Sequence, residues 1–169
     1  MIKLIIPILT TLASIVYLHH LYRLRGLNDV KLFVAISTSI VVPLESLGVY
    51  SGRYKYIWHN YLINSYFVAT GWIMNIYPMM HISLFILIGK RYFKANDISR
   101  GKKLQASILT GIFAVLYDLF LDPVAVSLGI WVWSVEGQWF GVPIRNFVGW
   151  FFIASTVTLI YLLLAYAKK

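Results

Sequence analysis

The chain has 169 residues, 60% hydrophobic and 12% charged, with mean hydropathy +0.75 and a formal net charge of +9. Charge this sparse, against roughly a quarter of the residues in a soluble domain, marks an integral membrane protein, read as one transmembrane domain over residues 1–169. The lack of cysteine excludes disulfides, thiol catalysis and thiolate metal sites, and basic residues clustered between apolar runs argue against a nucleic-acid partner.

A spanning helix needs about 20 largely apolar residues. Ile2–Tyr22 meets that length with Pro7 in its first turns, and no small-residue cleavage site follows it, so it is expected to be a retained span and not a signal peptide. Arg23–Lys31 is expected to be a loop, marked by Gly26 and Asn28-Asp29. Leu32–Val49 is a second span, and Tyr50–Asn60 a polar-aromatic connector holding Arg53, Lys55 and His59. Tyr61–Gly89 is a long third span that Gly71 and Pro78 should bend. Lys90–Lys103 is the most basic loop, Leu104–Leu121 a fourth span, and Phe147–Ala167 a fifth before Lys168-Lys169. No repeat, low-complexity tract or linker is present. The expected fold is all-α: a polytopic membrane helix bundle of about five spans with a Trp-rich interfacial or re-entrant segment before the last.

That segment, Asp118–Trp150, holds three of the six carboxylates, four of the six tryptophans and two of the five prolines. A plain connector would be short and polar; this composition suits a floor or lid over an apolar pocket. Within it, Val124–Trp133 is too short to cross the bilayer and could only be re-entrant.

The loop charges orient the bundle. One face collects Arg23, Arg25, Lys31, Lys90, Arg91, Lys94, Arg100, Lys102, Lys103, Lys168 and Lys169; the other has Lys3, Arg53, Lys55 and Arg145. Eleven against four makes the first face cytoplasmic, with the N-terminus outside and the C-terminus inside a multi-pass protein of the cell membrane.

Glu45 and Asp118 then lie at similar depth near the outer ends of their spans, followed on that side by Asp122, Glu136, Arg145 and Asn146. An ionisable group in a span is costly and is a functional candidate facing the bundle interior. Glu45, Asp118 and Arg145 are therefore expected to converge near one cavity. The plainer reading is that Glu45 and Asp118 pair with Arg53 and Arg145 to lock helices together. Asp118 and Asp122 stand four apart and would share a helix face, where two carboxylates could hold Mg²⁺ on a diphosphate. Pro123, however, is expected to push Asp122 out of helical geometry and stop the helix there. Trp131, Trp133, Trp139 and Trp150, with Tyr54 and Tyr56, are either an interfacial belt or pocket walls. His19, His20, His59 and His81 form no metal-binding box, and His59 alone is kept as a candidate acid or base. No nucleophile elbow, P-loop or dinucleotide fingerprint is present.

Four ordered blocks carry a family likeness: Glu45–Gly52 (ESLGVYSG) with Tyr54 and Tyr56; Asp118–Pro123 (DLFLDP); Gly129–Trp133 (GIWVW); and Phe140–Trp150 (FGVPIRNFVGW). Together, over roughly Pro43–Trp150, they resemble the membrane carotenoid-biosynthesis family, which includes carotenoid 1,2-hydratases and bisanhydrobacterioruberin hydratases. This chain resembles a compact version of it. The resemblance implies a lipid-soluble carotenoid or isoprenoid substrate within the bilayer, and hydration of an acyclic carotenoid end; it implies no particular catalytic residues.

The chemistry of that reaction assigns roles. A carboxylic acid that stays protonated among rings can protonate a trisubstituted alkene; Asp118, Glu45 and Asp122 are the candidates, Asp118 first because it precedes the expected helix stop. Aromatic faces of Trp131, Trp133, Trp139, Tyr54 and Tyr56 would stabilise the tertiary cation, and Asn146 would contact substrate. A second carboxylate or His59 would position water, with Arg53, Arg145 and Glu136 in support. No cofactor and no metal are required. The rival classes are a Mg-dependent isoprenoid-diphosphate transferase and a non-catalytic pigment-binding subunit.

Overall fold

A computed structural model describes residues 2–58, 60–95 and 97–167 of the chain, without the side chains of 2–4, 61, 93 and 94. His59, Lys168 and Lys169 lie outside the described residues. Five helices run up and down: α1 (Ile2–Arg25), α2 (Leu27–Tyr50), α3 (Tyr61–Ile88), α4 (Arg100–Ser127) and α5 (Ile144–Ala165). All five contain a stretch long and apolar enough to span a membrane. A short 3-10 turn, Gly89–Lys94, follows α3. The protein is an all-α membrane bundle.

Helix α3 touches the other four, and α4 lies along α5. Bringing helices together in lipid depends on close packing and not on escape from water, so small residues mark the seams. At the α4–α5 seam Ala106, Ala114 and Ala154 are fully buried. A Cβ on Gly111 would fall 2.2 Å from Ser155 Oγ and 2.8 Å from the Phe151 carbonyl. Beside that seam the core is filled by Phe33, Ile76, Tyr77, Tyr161 and Leu162.

Helices α4 and α5 start at Arg100 and Ile144, a few residues before the expected Leu104 and Phe147, and two further boundaries differ by more. The segment 23–31 is not a loop: Gly26 alone separates α1 from α2. Its φ of 87° lies where glycine has no Cβ penalty, and one such residue is enough to turn the chain. Asn28 and Asp29 then enter the first turn of α2, where Asp29 meets the positive helix end and accepts from Arg25 Nε at 2.8 Å.

The second difference is at Pro123, which does not end α4; the helix continues to Ser127. A proline inside a helix removes the N–H that would serve the carbonyl four residues earlier, here Leu119. That carbonyl accepts instead from the Trp139 indole, Nε1···O 2.9 Å. The lost bond is replaced from outside the helix, as a polar group in lipid requires.

The connectors after α2 and α4 meet as a two-stranded antiparallel sheet, which the sequence reading did not anticipate. Strand β1 (Tyr54–Tyr56) pairs with β2 (Trp131–Trp133) in the register Tyr54 to Trp133, Lys55 to Val132 and Tyr56 to Trp131. Ile57 N–H to the Ile130 carbonyl (2.8 Å) and Ser134 N–H to the Arg53 carbonyl (2.9 Å) extend the pairing. The run 124–133 does not re-enter the bundle as a separate helix. It is the end of α4, a turn, and half of a hairpin-like cap over one end of the bundle.

Candidate active site

Beneath the sheet lies a cavity of about 210 Å³, walled by α1, α3, α4, the start of α5 and the sheet itself. Strand alternation sends every second side chain to one face. Tyr54, Tyr56, Trp131 and Trp133 accordingly line the cavity, while Lys55 and Val132 on the opposite face are exposed. Trp150 of α5 stacks on Trp72 of α3, centroids 4.1 Å apart, and both rings also line it. Phe67 and Tyr117 complete an almost wholly apolar and aromatic wall.

Two acidic groups reach this space. Glu45 near the end of α2 accepts hydrogen bonds on Oε2 from the Tyr54 and Tyr56 hydroxyls, the latter at 3.1 Å. Burial, and then the charge of Glu45, push both phenols well above the ordinary tyrosine range, so they remain donors. Gly48 makes this possible: a Cβ there would lie 2.5 Å from the Tyr54 hydroxyl. Asp122 is the other acid, and it is helical, so that Asp118 and Asp122 do share a face of α4.

The amide of Asn146, in the first turn of α5, donates to Oδ2 of Asp118 at 2.8 Å and to Oδ2 of Asp122. One amide thus bridges the two carboxyls, four residues apart on α4. Asp122 and Asn146 line the cavity, whereas Asp118 sits behind Asp122, fully buried, its Oδ1 without a partner. Of this pair, Asp122 is the acid that lines the cavity, with Asp118 behind it.

The plainer reading, acids paired with Arg53 and Arg145, is not what is found: among the described residues the ion pairs are Arg25–Asp29 and Lys103–Asp97. Arg53 and Arg145 are exposed and outside the cavity, as is Glu136. Arg145 does not converge with Glu45 and Asp118. Long basic side chains near helix ends reach outward to water, which leaves the acids to neutral donors. Trp139 is also outside the cavity, serving the Leu119 carbonyl. Trp72, Phe67 and Tyr117 were missed because aromatics inside an apolar span read equally well as lipid-facing. Among the described residues no three His, Asp or Glu side chains are grouped to hold a metal ion.

Comparison with known proteins gives the family. A family model described as carotenoid biosynthesis protein matches residues 5–169. Over 47 residues the chain is 40% identical to a bisanhydrobacterioruberin hydratase of Haloarcula japonica. That stretch is 28% of this chain and spans only 16% of the hydratase's length. No solved structure matches the chain.

Proposed function

We propose that this chain, which belongs to the carotenoid-biosynthesis family, is a membrane hydratase that adds water across the terminal double bond of an acyclic carotenoid. The observation that carries this reading is the carboxyl pair Asp118–Asp122, clasped by Asn146, with Asp122 facing an aromatic cavity that also receives Glu45.

Asp122, protonated in the resting site, passes its proton to the less substituted alkene carbon. The π pair forms the new C–H bond, and the tertiary carbon becomes a cation. The faces of Trp131, Trp150 and Tyr56 stabilise it; such a contact is worth about 0.5–2 kcal/mol or more when water is excluded. Glu45, fixed by Tyr54 and Tyr56, accepts a proton from the water whose oxygen attacks the cation. The result is a tertiary alcohol, with one proton moved from Asp122 to Glu45. Return of that proton through water resets the site. Asn146 and Asp118 are positioning residues, and the scheme uses no cofactor.

Expression in a lycopene-producing host, followed by mass analysis of the pigments, tests the class. A gain of one water per end is expected. A pigment retained at unchanged mass would favour a non-catalytic binding subunit and overturn the hydratase. The acid-bearing end is placed outside the cell and the basic end, with the C-terminus, in the cytoplasm, from the positive-inside bias. A Lys90→Cys variant, at an exposed position, should be labelled by an impermeant thiol reagent only in inverted vesicles.

A further inference from the structure

The inner cavity is too small for a whole carotenoid. At about 210 Å³ it falls below the roughly 300–1,000 Å³ of sites that enclose a drug-sized ligand, and a carotenoid is longer than such ligands. If an end group reacts there, the polyene chain has to lie elsewhere. A second hollow, about 500 Å³, runs between α2 and α3. It is lined by apolar side chains with Ser46, Asn64 and Ser65 among them.

Glu45, Tyr56 and Val68 line both spaces. They form the wall, and one of the three is a carboxylate of the candidate site. The hollow's outer margin carries Leu47 and Tyr50, 62% and 93% exposed on the outer surface of the bundle. Pro43, also in its lining, removes a backbone hydrogen bond from α2 just before Glu45. With Leu47 and Tyr50 exposed at its margin, the hollow opens sideways between two spanning helices and not only at the end of the bundle.

We propose that the α2–α3 groove is the polyene subsite and lateral portal of the enzyme: the carotenoid enters sideways from the bilayer, passes Val68 with its end group, and leaves its chain in the groove. This rests on the reading of the inner cavity as an end-group site. It makes the groove a selector for length. A long acyclic carotenoid needs both spaces, while a short acyclic monoterpene needs the inner one alone.

The test fills the groove from either wall, with Ser65→Trp on α3 and Val49→Trp on α2, and takes Ser65→Ala as the control. Protein in nanodiscs is loaded with lycopene, and retained pigment is read by visible absorption after washing. Monoterpene binding is read by quenching of tryptophan fluorescence. The filled variants should retain at least ten-fold less lycopene than wild type and Ser65→Ala, with monoterpene binding and thermal stability unchanged. Undiminished lycopene retention in either stably folded Trp variant would overturn the portal, leaving the groove to a lipid acyl chain. Wild type that retains no lycopene would overturn it too. The hydratase reading fails separately: pigment that is held in a groove-dependent way yet never gains water sinks the chemistry and leaves the portal standing.

Discussion

The two ends of the bundle use similar residues to opposite effect. At the basic end, Arg25 bonds Asp29, donates to the Ala95 and Ala165 carbonyls at 3.1 and 2.7 Å, and lies 4.1 Å from the Tyr166 ring centroid. Lys103, only 4% exposed, donates to the Tyr166 carbonyl at 2.5 Å. Arg25 and Lys103 thus meet an opposite charge and backbone carbonyls, and the hollow at that end, beside Arg25 and His81, is about 10 Å³. At the other end Glu45, Asp118 and Asp122 meet tyrosines and an asparagine, and a cavity of about 210 Å³ remains beside them. Charges answered by cations and carbonyls around no space make a lock. Acids answered by neutral donors around an apolar space can gain and lose protons against a substrate.

The strongest way to break this contrast is one substitution at each end. Asp122→Asn keeps the shape and the contact with Asn146 but removes the transferable proton. Hydration should fall by at least about 10²-fold, the usual scale of general acid catalysis, with lycopene retention and thermal stability preserved. Arg25→Ala should do the reverse. Breaking a buried pair costs about 3–5 kcal/mol; with both side chains 17–18% exposed, about 2 kcal/mol of stability is expected. It should be seen as a lower detergent-unfolding midpoint with turnover per folded molecule unchanged. If Asp122→Asn mainly unfolds the protein, the acid end is a lock as well and the contrast disappears.

The parts of this arrangement that were legible in the sequence follow from strong local rules. Five apolar runs of spanning length and three acids within or beside them stand out because a membrane tolerates neither polar backbone nor stray charge. What was not legible depended on distant partners. Pro123 reads as a helix stop until Trp139 is seen to take the Leu119 carbonyl. Tyr-Lys-Tyr and Trp-Val-Trp read equally as an interfacial belt or as pocket walls until they pair. Their two-residue alternation was the available signal: it places four rings on one face and Lys55 and Val132 on the other. Trp72 had no signal of its own, since only its stacking on Trp150 separates it from a lipid-facing ring.

A smaller effect sharpens the acid end itself. Gly48→Ala would drive a Cβ to 2.5 Å from the Tyr54 hydroxyl, so the ring must leave and Glu45 loses one donor. A hydrogen bond to a charged group contributes about 1.5–3 kcal/mol, so turnover should drop about ten-fold. Tyr54→Phe should match it, and the double variant should be no worse than either single, because both remove the same contact. Additive losses in hydration assays would mean that Tyr54 acts elsewhere than on Glu45.

The smallest effect expected tests how the acid-bearing helix is kept whole. Trp139→Phe removes the indole donor from the Leu119 carbonyl. Because Trp139 is 39% exposed, about 1 kcal/mol or less of stability should be lost, with hydration unchanged since the ring lies outside the cavity. Pro123→Ala restores the backbone N–H that can serve the same carbonyl. In the Pro123→Ala background, Trp139→Phe should then cost almost nothing, a coupling that unfolding midpoints of the four proteins measure directly. If Trp139→Phe costs the same with and without Pro123, its stabilising contact is ring packing against Phe140, centroids 5.1 Å apart, and α4 passes through its proline unaided.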